Sequence, residues 1–225
     1  MSELDNRRPI PSRSSGWAQT IARVLAGWGV SANAISVSSV VFACAAGAAF
    51  LAAPFTSLWL YLVAAVCCPL RLLANLFDGM VAVEHGRGTP TGPIFNEVPD
   101  RIADVVILAS AGASAGFAAS YGFVADWAGP VGFVAAVGAL LTAYVREMGR
   151  ALGAPADFSG PFAKQQRMMA VAAGAVLAAV ADPLVGHGGE VLAATVLVVA
   201  AGTLFTAWRR TARLASHLRA ASTTV

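Results

Sequence analysis

Long apolar segments, separated by short polar or Gly/Pro-rich links, dominate the chain after about residue 30. Six of them approach the roughly 20 residues that a helix needs to cross a bilayer. Their periodicity and length favour helices over strands. The pattern therefore predicts an all-α integral membrane protein with six transmembrane helices, at about residues 33–53, 57–83, 93–119, 130–150, 165–181 and 191–210.

The stretch before the first predicted span has a different pattern. Residues 1–15 are rich in Pro, Ser and Arg and lack the arrangement of a signal peptide, so they are expected to form a cytosolic tail. Residues 16–29 predict an N-terminal amphipathic interfacial helix. Packing of this helix on its own protein is an alternative, and both can hold. Its apolar face is formed by Trp17, Ile21, Val24, Leu25 and Trp28.

No internal repeat is evident, so one membrane domain is predicted between two terminal regions. Residues 1–30 comprise the tail and the interfacial helix, residues 31–212 the six-helix domain, and residues 213–225 a cytosolic C-terminal tail.

Composition supports the membrane assignment. The 225 residues are 57% hydrophobic and only 12% charged, and the mean hydropathy is +0.69, which is far too apolar for an ordinary soluble domain. The net charge of +3 comes without a basic-aromatic groove pattern, so nucleic acid is not an expected partner. Cys44, Cys67 and Cys68 lie in apolar segments without metal-ligand spacing and are predicted core residues.

The distribution of basic residues predicts the topology. The links at residues 121–129 and 182–190 contain no Lys or Arg. If the N-terminus is inside, these links lie outside and the basic residues remain on the cytosolic side, as the positive-inside rule requires. We therefore expect both termini and the charged end of the bundle in the cytosol, with the bacterial inner membrane as the location.

Charged residues in apolar segments are costly and usually functional, and here they are concentrated between residues 71 and 104. Helical spacing places two polar stripes on consecutive helices, and facing helices would form one oxygen-rich pocket. The first stripe contains Arg71, Asn75, Asp78, Gly79 and Ala82, and the second contains Asn96, Glu97, Asp100 and Asp104.

These stripes resemble the signature of the CDP-alcohol phosphotransferases, D-x-x-D-G-x-x-A-R followed by a spacer and G-x-x-x-D-x-x-x-D. Five of the eight signature positions match, namely Asp78, Gly79, Ala82, Asp100 and Asp104. The departures are Asn75, Val83 and Asn96. The local sequence around Asn75 and Asn96 is similar to that of a bacterial branch of the family.

The resemblance implies a transferase of phospholipid biosynthesis that moves a substituted phosphate, most often phosphatidyl, from a CDP-linked lipid such as CDP-diacylglycerol to a small polar alcohol, with release of CMP. It implies Mg²⁺ or Mn²⁺ between the carboxylates and the pyrophosphate. Asp78 and Asp100 become metal ligands and Asp104 the base. Gly79 and Ala82, with Asn75, would allow close approach of the nucleotide.

An amide at position 75 removes one negative charge from the family's metal site. Asn75 can still offer an oxygen to a metal, and Glu97, with Asp78, Asp100 and Asp104, would restore four carboxylates. Alternatively, Glu97 pairs with Arg101, four residues further along the helix.

Basic residues near the charged end of the bundle have two interpretations. They could bind the phosphate of a phosphorylated acceptor, or they could reflect only the positive-inside bias and contact with membrane lipids. The candidates are Arg146, Arg150, Lys164, Arg167 and Arg71.

The family likeness also implies a homodimer. Two other functions stay open: a catalytically inactive relative that binds lipid or nucleotide, and a small transporter or scaffold. The acids lie at one end of the spans, which argues against an ion path across the membrane.

Overall fold

The chain folds into helices, and the computed structural model describes residues 11–84, 86 and 89–222. The predicted N-terminal tail therefore lies largely outside the described residues. Short 3₁₀ turns occur at Pro11–Ser14 and Ala53–Phe55. The α-helices are α1 (Gly16–Gly27), α2 (Ala32–Ala52), α3 (Leu60–Glu84), α4 (Gly92–Ala118), α5 (Gly122–Ala151), α6 (Lys164–Val185) and α7 (Gly188–Ser222).

Helices α2 to α7 are each long and apolar enough to cross a membrane, and the six predicted spans are confirmed in number and order. No strand is found among the described residues. The outward surface carries many large exposed apolar side chains, such as Val41, Phe133 and Leu177. Such a surface fits a lipid environment rather than water.

Two predicted boundaries were wrong. Helix α5 begins at Gly122 instead of near residue 130, and Pro130 lies inside it. Transmembrane helices tolerate an internal proline because neighbouring groups satisfy the freed carbonyl. Helix α7 does not end near residue 210 but continues to Ser222, so much of the predicted C-terminal tail is helical.

Helix α1 combines the two interpretations of the N-terminal pattern. Its small face, formed by Ala18, Ala22 and Ala26, is buried, and the helix packs on α3. The large side chains of Trp17 and Trp28 project outward and are 49% and 78% exposed. Packing on the protein is thus confirmed, and insertion of the large side chains into the membrane surface remains a prediction.

The helices pack through small residues, as membrane bundles do. Helix α4 contacts both α2 and α5, while α7 contacts α5 and α6. One close backbone approach joins Gly112 of α4 and Gly132 of α5: a Cβ built on Gly112 would lie 2.6 Å from the Gly132 Cα. This contact fixes α4, which carries Asp100 and Asp104.

Helices α3 and α4 make few backbone contacts, although they are consecutive. Helix α3 packs instead on α2 and α6. The charged ends of α3 and α4 are therefore joined mainly by side chains, with α6 beside them.

The glycine contact generates a stability prediction. Gly112→Ala should lower the free energy of unfolding of the purified protein by about 1–3 kcal/mol, because backbone atoms on both helices must separate. Thermal unfolding in detergent measures the effect.

The matched control is Gly129→Ala at the same helix pair, where the nearest atom to a new Cβ is the Ala113 Cα at 4.0 Å. This control should be neutral or slightly stabilising, because alanine favours helix. Equal losses in both variants would contradict the proposed packing constraint.

Candidate active site

Three aspartates are buried at the end of the bundle where α3 ends and α4 and α6 begin. Asp78 of α3 is 3% exposed, and Asp100 and Asp104 of α4 are 4% and 0% exposed. Asp100 and Asp104 are four residues apart and therefore share one helix face. Uncompensated carboxylates would be very unfavourable in such a setting, so their partners decide what the site can do.

Asp104 is held by two guanidinium groups. Arg71 donates from Nη2 to Asp104 Oδ1 at 2.7 Å, and Arg167 donates from Nη2 to Asp104 Oδ2 at 2.5 Å. All three side chains are almost fully buried. Both carboxylate oxygens are therefore occupied by charge-assisted bonds.

Asp100 is also surrounded by donors. The Lys164 ammonium group donates to its Oδ2, and the Asn75 amide donates to its Oδ1. Arg71 Nη2 lies 3.5 Å from Oδ1 and donates to the Asp100 backbone carbonyl at 2.9 Å. Arg71 thus contacts both aspartates of α4.

Asp78 has a weaker set of partners. Ser36 of α2 donates from Oγ to Asp78 Oδ2 at 2.6 Å, and Asp78 lies near enough to Lys164 and Asp100 to interact with both electrostatically. Its other oxygen, Oδ1, has no hydrogen-bond partner within the described part of the chain. Sequence reasoning missed Ser36, although a serine one turn into an apolar span was an available signal.

Glu97 lies among arginines. It pairs with Arg101 at 3.1 Å, four residues further along α4, and with Arg146 of α5 at 2.6 Å. The pairing alternative for Glu97 is confirmed. In the described part of the chain, Glu97 thus contacts arginines rather than the buried aspartates, and its role as a metal ligand remains a prediction.

The basic residues predicted to bind the acceptor phosphate lie in different surroundings. Arg71, Lys164 and Arg167 belong to the buried acid cluster. Arg146 pairs with Glu97 and with Glu147. Arg150 is 45% exposed and pairs with Glu147.

Two cavities lie at this end of the bundle. One lies between α5, α7 and the loop of residues 152–163, and the other is also lined by residues of α4 and α6 and reaches Lys164 and Arg167 of the cluster. The larger has a volume of about 310 Å³ and its basic lining includes Arg146, Arg210, Arg213 and His217. The smaller has a volume of about 30 Å³ and is lined by Arg101, Thr142, Ala143, Arg146, Phe158, Lys164, Arg167 and Arg210. Sequence reasoning had assigned the basic residues of α7 to topology alone.

Asp157 fixes the loop that covers these cavities. It accepts hydrogen bonds from the Ser159 backbone N–H at 2.8 Å and from the Ser159 hydroxyl at 2.6 Å. Partial burial alone would raise the pKa of Asp157, but the Ser159 hydrogen bonds and the charges of Arg210 and Arg213 outweigh it and hold that pKa below its ordinary value.

The residues predicted for close nucleotide approach lie beside the cluster. Gly79 and Ala82 are half-buried on α3, next to buried Asp78. The departures from the signature differ in setting, since Val83 and Asn96 are exposed, whereas Asn75 bonds to Asp100. A nucleotide role for Gly79, Ala82 and Asn75 stays a prediction.

The donor set does not fit a tightly bound divalent cation. Both oxygens of Asp100 and both of Asp104 accept from nitrogen donors. Asn75 Oδ1 and Asp78 Oδ1 are the buried oxygens of this set without a partner in the described ranges. Asp100 and Asp104 already pair with Arg71, Arg101, Lys164 and Arg167, so the two positive charges of a divalent cation would be uncompensated. Within the residues that the structure describes, no three His, Cys, Asp or Glu side chains are grouped to hold a metal ion.

Comparison with known proteins gives no match to a family model. The curated proteins contain no match at the level of sequence.

Solved structures do show a shared fold, with 20% sequence identity in each case. Phosphatidylinositol phosphate synthase (PgsA1) of Mycobacterium tuberculosis with CDP-DAG bound superposes with a TM-score of 0.67, over 89% of this chain and 94% of that one. The same enzyme with manganese and citrate gives 0.66 over 88% of each chain. Its apo form gives 0.62, over 85% of this chain and 92% of that one. The chain thus has the fold of a membrane enzyme that has been solved with a CDP-linked lipid.

Proposed function

We propose that this protein is a membrane transferase that moves a substituted phosphate, most often phosphatidyl, from a CDP-linked lipid to a small polar alcohol and releases CMP. The observation that carries the proposal is the burial of Asp78, Asp100 and Asp104 at one end of this fold. Those residues match the aspartates of the resembled signature. Binding of CDP-DAG by the similar solved enzyme supports the choice of donor.

The proposed reaction is a displacement at phosphorus. The acceptor hydroxyl oxygen forms a bond to the phosphorus next to the lipid alcohol, and the bond from that phosphorus to the oxygen shared with CMP breaks. CMP leaves with the bonding electron pair. The acceptor's proton passes to Asp104, which must exchange one of its guanidinium contacts to receive it.

Basic side chains supply the complementary charge. Arg71 Nε and Nη1 and Arg167 Nε are buried N–H groups without a partner in the described structure. Buried donors of this kind favour anionic oxygens, and a pyrophosphate supplies several. Because the donor set does not fit the expected Mg²⁺ or Mn²⁺, no step is assigned to a metal.

The acceptor is proposed to carry its own phosphate. Arg146 lies on both cavities, and the larger cavity also presents Arg210, Arg213 and His217. Such a lining favours a phosphorylated alcohol over a neutral one. The cytosolic placement of this end, the bacterial inner membrane and a homodimer belong to the same proposal, on the basis of charge distribution and family resemblance.

One observation favours a second candidate, an inactive relative that binds the lipid or nucleotide. Asp104 is bound by two arginines, and Asn75 replaces a carboxylate of the resembled signature. A binding protein with this site would retain the CDP-linked lipid without releasing CMP.

The deciding assay measures CMP release from CDP-diacylglycerol by the purified protein in nanodiscs. Acceptors should include glycerol phosphate, inositol phosphate, inositol and serine, each with Mg²⁺, with Mn²⁺ and with a chelator. Release with one acceptor class supports the transferase. Retention of CDP-diacylglycerol without release under every condition supports the binding protein.

Asp104→Asn should lower CMP release by about 100-fold or more, because removal of a general base typically has that effect. The control is Asp126→Asn, an exposed carboxylate near the opposite end of α5, and it should keep full activity. Wild-type turnover in Asp104→Asn would remove Asp104 from the proposed chemistry.

Arg146→Met should raise the KM for a phosphorylated acceptor by about tenfold with little change in kcat, because one charge-assisted contact to the phosphate is lost. Steady-state kinetics with matched phosphorylated and unphosphorylated alcohols measure KM and kcat separately for each alcohol. Arg209→Met, an exposed arginine of α7, serves as the charge-matched control. An equal effect on both alcohols would argue against a phosphate contact.

A further inference from the structure

We infer that the Lys164 ammonium group replaces a divalent cation as the counter-ion of this acidic site, so that the resting site binds neither Mg²⁺ nor Mn²⁺ tightly. The consequence for catalysis rests on the proposed function, whereas the inference about metal binding rests only on the contacts of the buried cluster. It opposes the metal requirement that family resemblance implies.

The first support is the register of two helices. Asp100 and Asp104 are one turn apart on α4, and Lys164 and Arg167 are one turn apart at the start of α6. They pair in order, Lys164 with Asp100 and Arg167 with Asp104. Two cations on one helix thus neutralise two carboxylates on the other.

Arg71 completes the arrangement from a third helix. Its Nη2 atom lies 2.7 Å from an Asp104 oxygen and 3.5 Å from an Asp100 oxygen. A group that contacts two carboxylates from between them occupies the kind of position that a bridging metal takes in a carboxylate site. The side chain is fully buried, so its charge is poorly screened by solvent.

Charge balance is the second support. Asp78, Asp100 and Asp104 carry three negative charges, and Arg71, Lys164 and Arg167 pair with the two aspartates of α4. Arg101 adds a fourth cation 3.7 Å from Asp100, and Glu97, which pairs with Arg101, adds a fourth carboxylate. A divalent cation added to this neutral cluster would leave two positive charges uncompensated in a buried setting, which is strongly unfavourable. Binding would therefore require a resident cation to leave.

Asn75 is the third support. Its Nδ2 donates to Asp100, and the assignment is consistent because an ionised carboxylate can only accept. An aspartate at position 75 would place a second negative charge against Asp100 and would need another cation. The amide therefore matches a site that basic side chains already neutralise.

The test is a Mn²⁺ titration of the full-length protein in phosphatidylcholine nanodiscs near neutral pH, followed by the electron paramagnetic resonance signal of free Mn²⁺. The wild type should show no saturable site beyond that of empty nanodiscs. Lys164→Met should gain a saturable Mn²⁺ site that is at least about tenfold tighter than the residual binding of empty nanodiscs, because a carboxylate charge is released for the ion.

Lys164→Arg is the matched control, because it keeps the positive charge and should not gain Mn²⁺ binding. Arg209→Met tests whether loss of any basic residue has the same effect, and it should also resemble the wild type. If Lys164→Met gains Mn²⁺ binding and Lys164→Met/Asp100→Asn does not, the new Mn²⁺ site lies at this cluster.

Tight Mn²⁺ binding by the wild type that is lost in Asp100→Asn would overturn the inference, and this comparison decides it even if Lys164→Met fails to fold. An equal Mn²⁺ affinity in folded Lys164→Met and wild type would also overturn it.

Turnover separates this inference from the proposed function. CMP release in the presence of a chelator supports both. Release only with Mg²⁺ or Mn²⁺ leaves the transferase intact and counts against Lys164 as a substitute for the metal during turnover, while the Mn²⁺ titration decides whether the resting site binds the ion. Absence of release under every condition counts against the transferase, and the Mn²⁺ titration still decides the inference.

Discussion

Neutralisation of buried carboxylates is the constraint on which the charged end of this protein depends. Three aspartates in an otherwise apolar bundle can stay ionised only if positive charges lie against them. Arg71, Lys164 and Arg167 provide those charges from α3 and α6, and Arg101 of α4 lies 3.7 Å from Asp100. The ion pairs also join helices whose backbones hardly touch, because α3 and α4 make few direct contacts.

The apolar part of the bundle sets the geometry of these pairs. Gly112 and Gly132 let α4 and α5 approach until their backbones touch, while α3 packs on α2 and α6. Membrane helices gain little from apolar burial relative to lipid, so close packing of small residues has to hold them in position. The register of α4 against α6 then determines which cation meets which carboxylate.

In the proposed reaction, the same register would bring the donor and the acceptor to neighbouring side chains. Lys164 and Arg167 face the aspartates and also line the small cavity, with Arg101, Arg146 and Arg210 around it. A pyrophosphate and a phosphorylated acceptor would therefore meet one shared set of basic side chains. Asn75 fits this arrangement because its amide donates to Asp100 without adding charge.

The sequence by itself determined the membrane class, the number and order of the spans, and the helices that carry the candidate site, because segment length and apolar periodicity are local properties. It also singled out Asp78, Asp100 and Asp104 by spacing and resemblance.

The continuation of α5 through Pro130 and of α7 beyond residue 210 needed the structure, since surrounding helices decide whether a proline or a polar stretch continues a helix. Only the tertiary structure decided the partners: Ser36 for Asp78, Arg146 for Glu97, and Lys164 and Arg167 for the α4 aspartates. Those contacts join residues far apart in the chain, and no local pattern specifies which cation reaches which carboxylate.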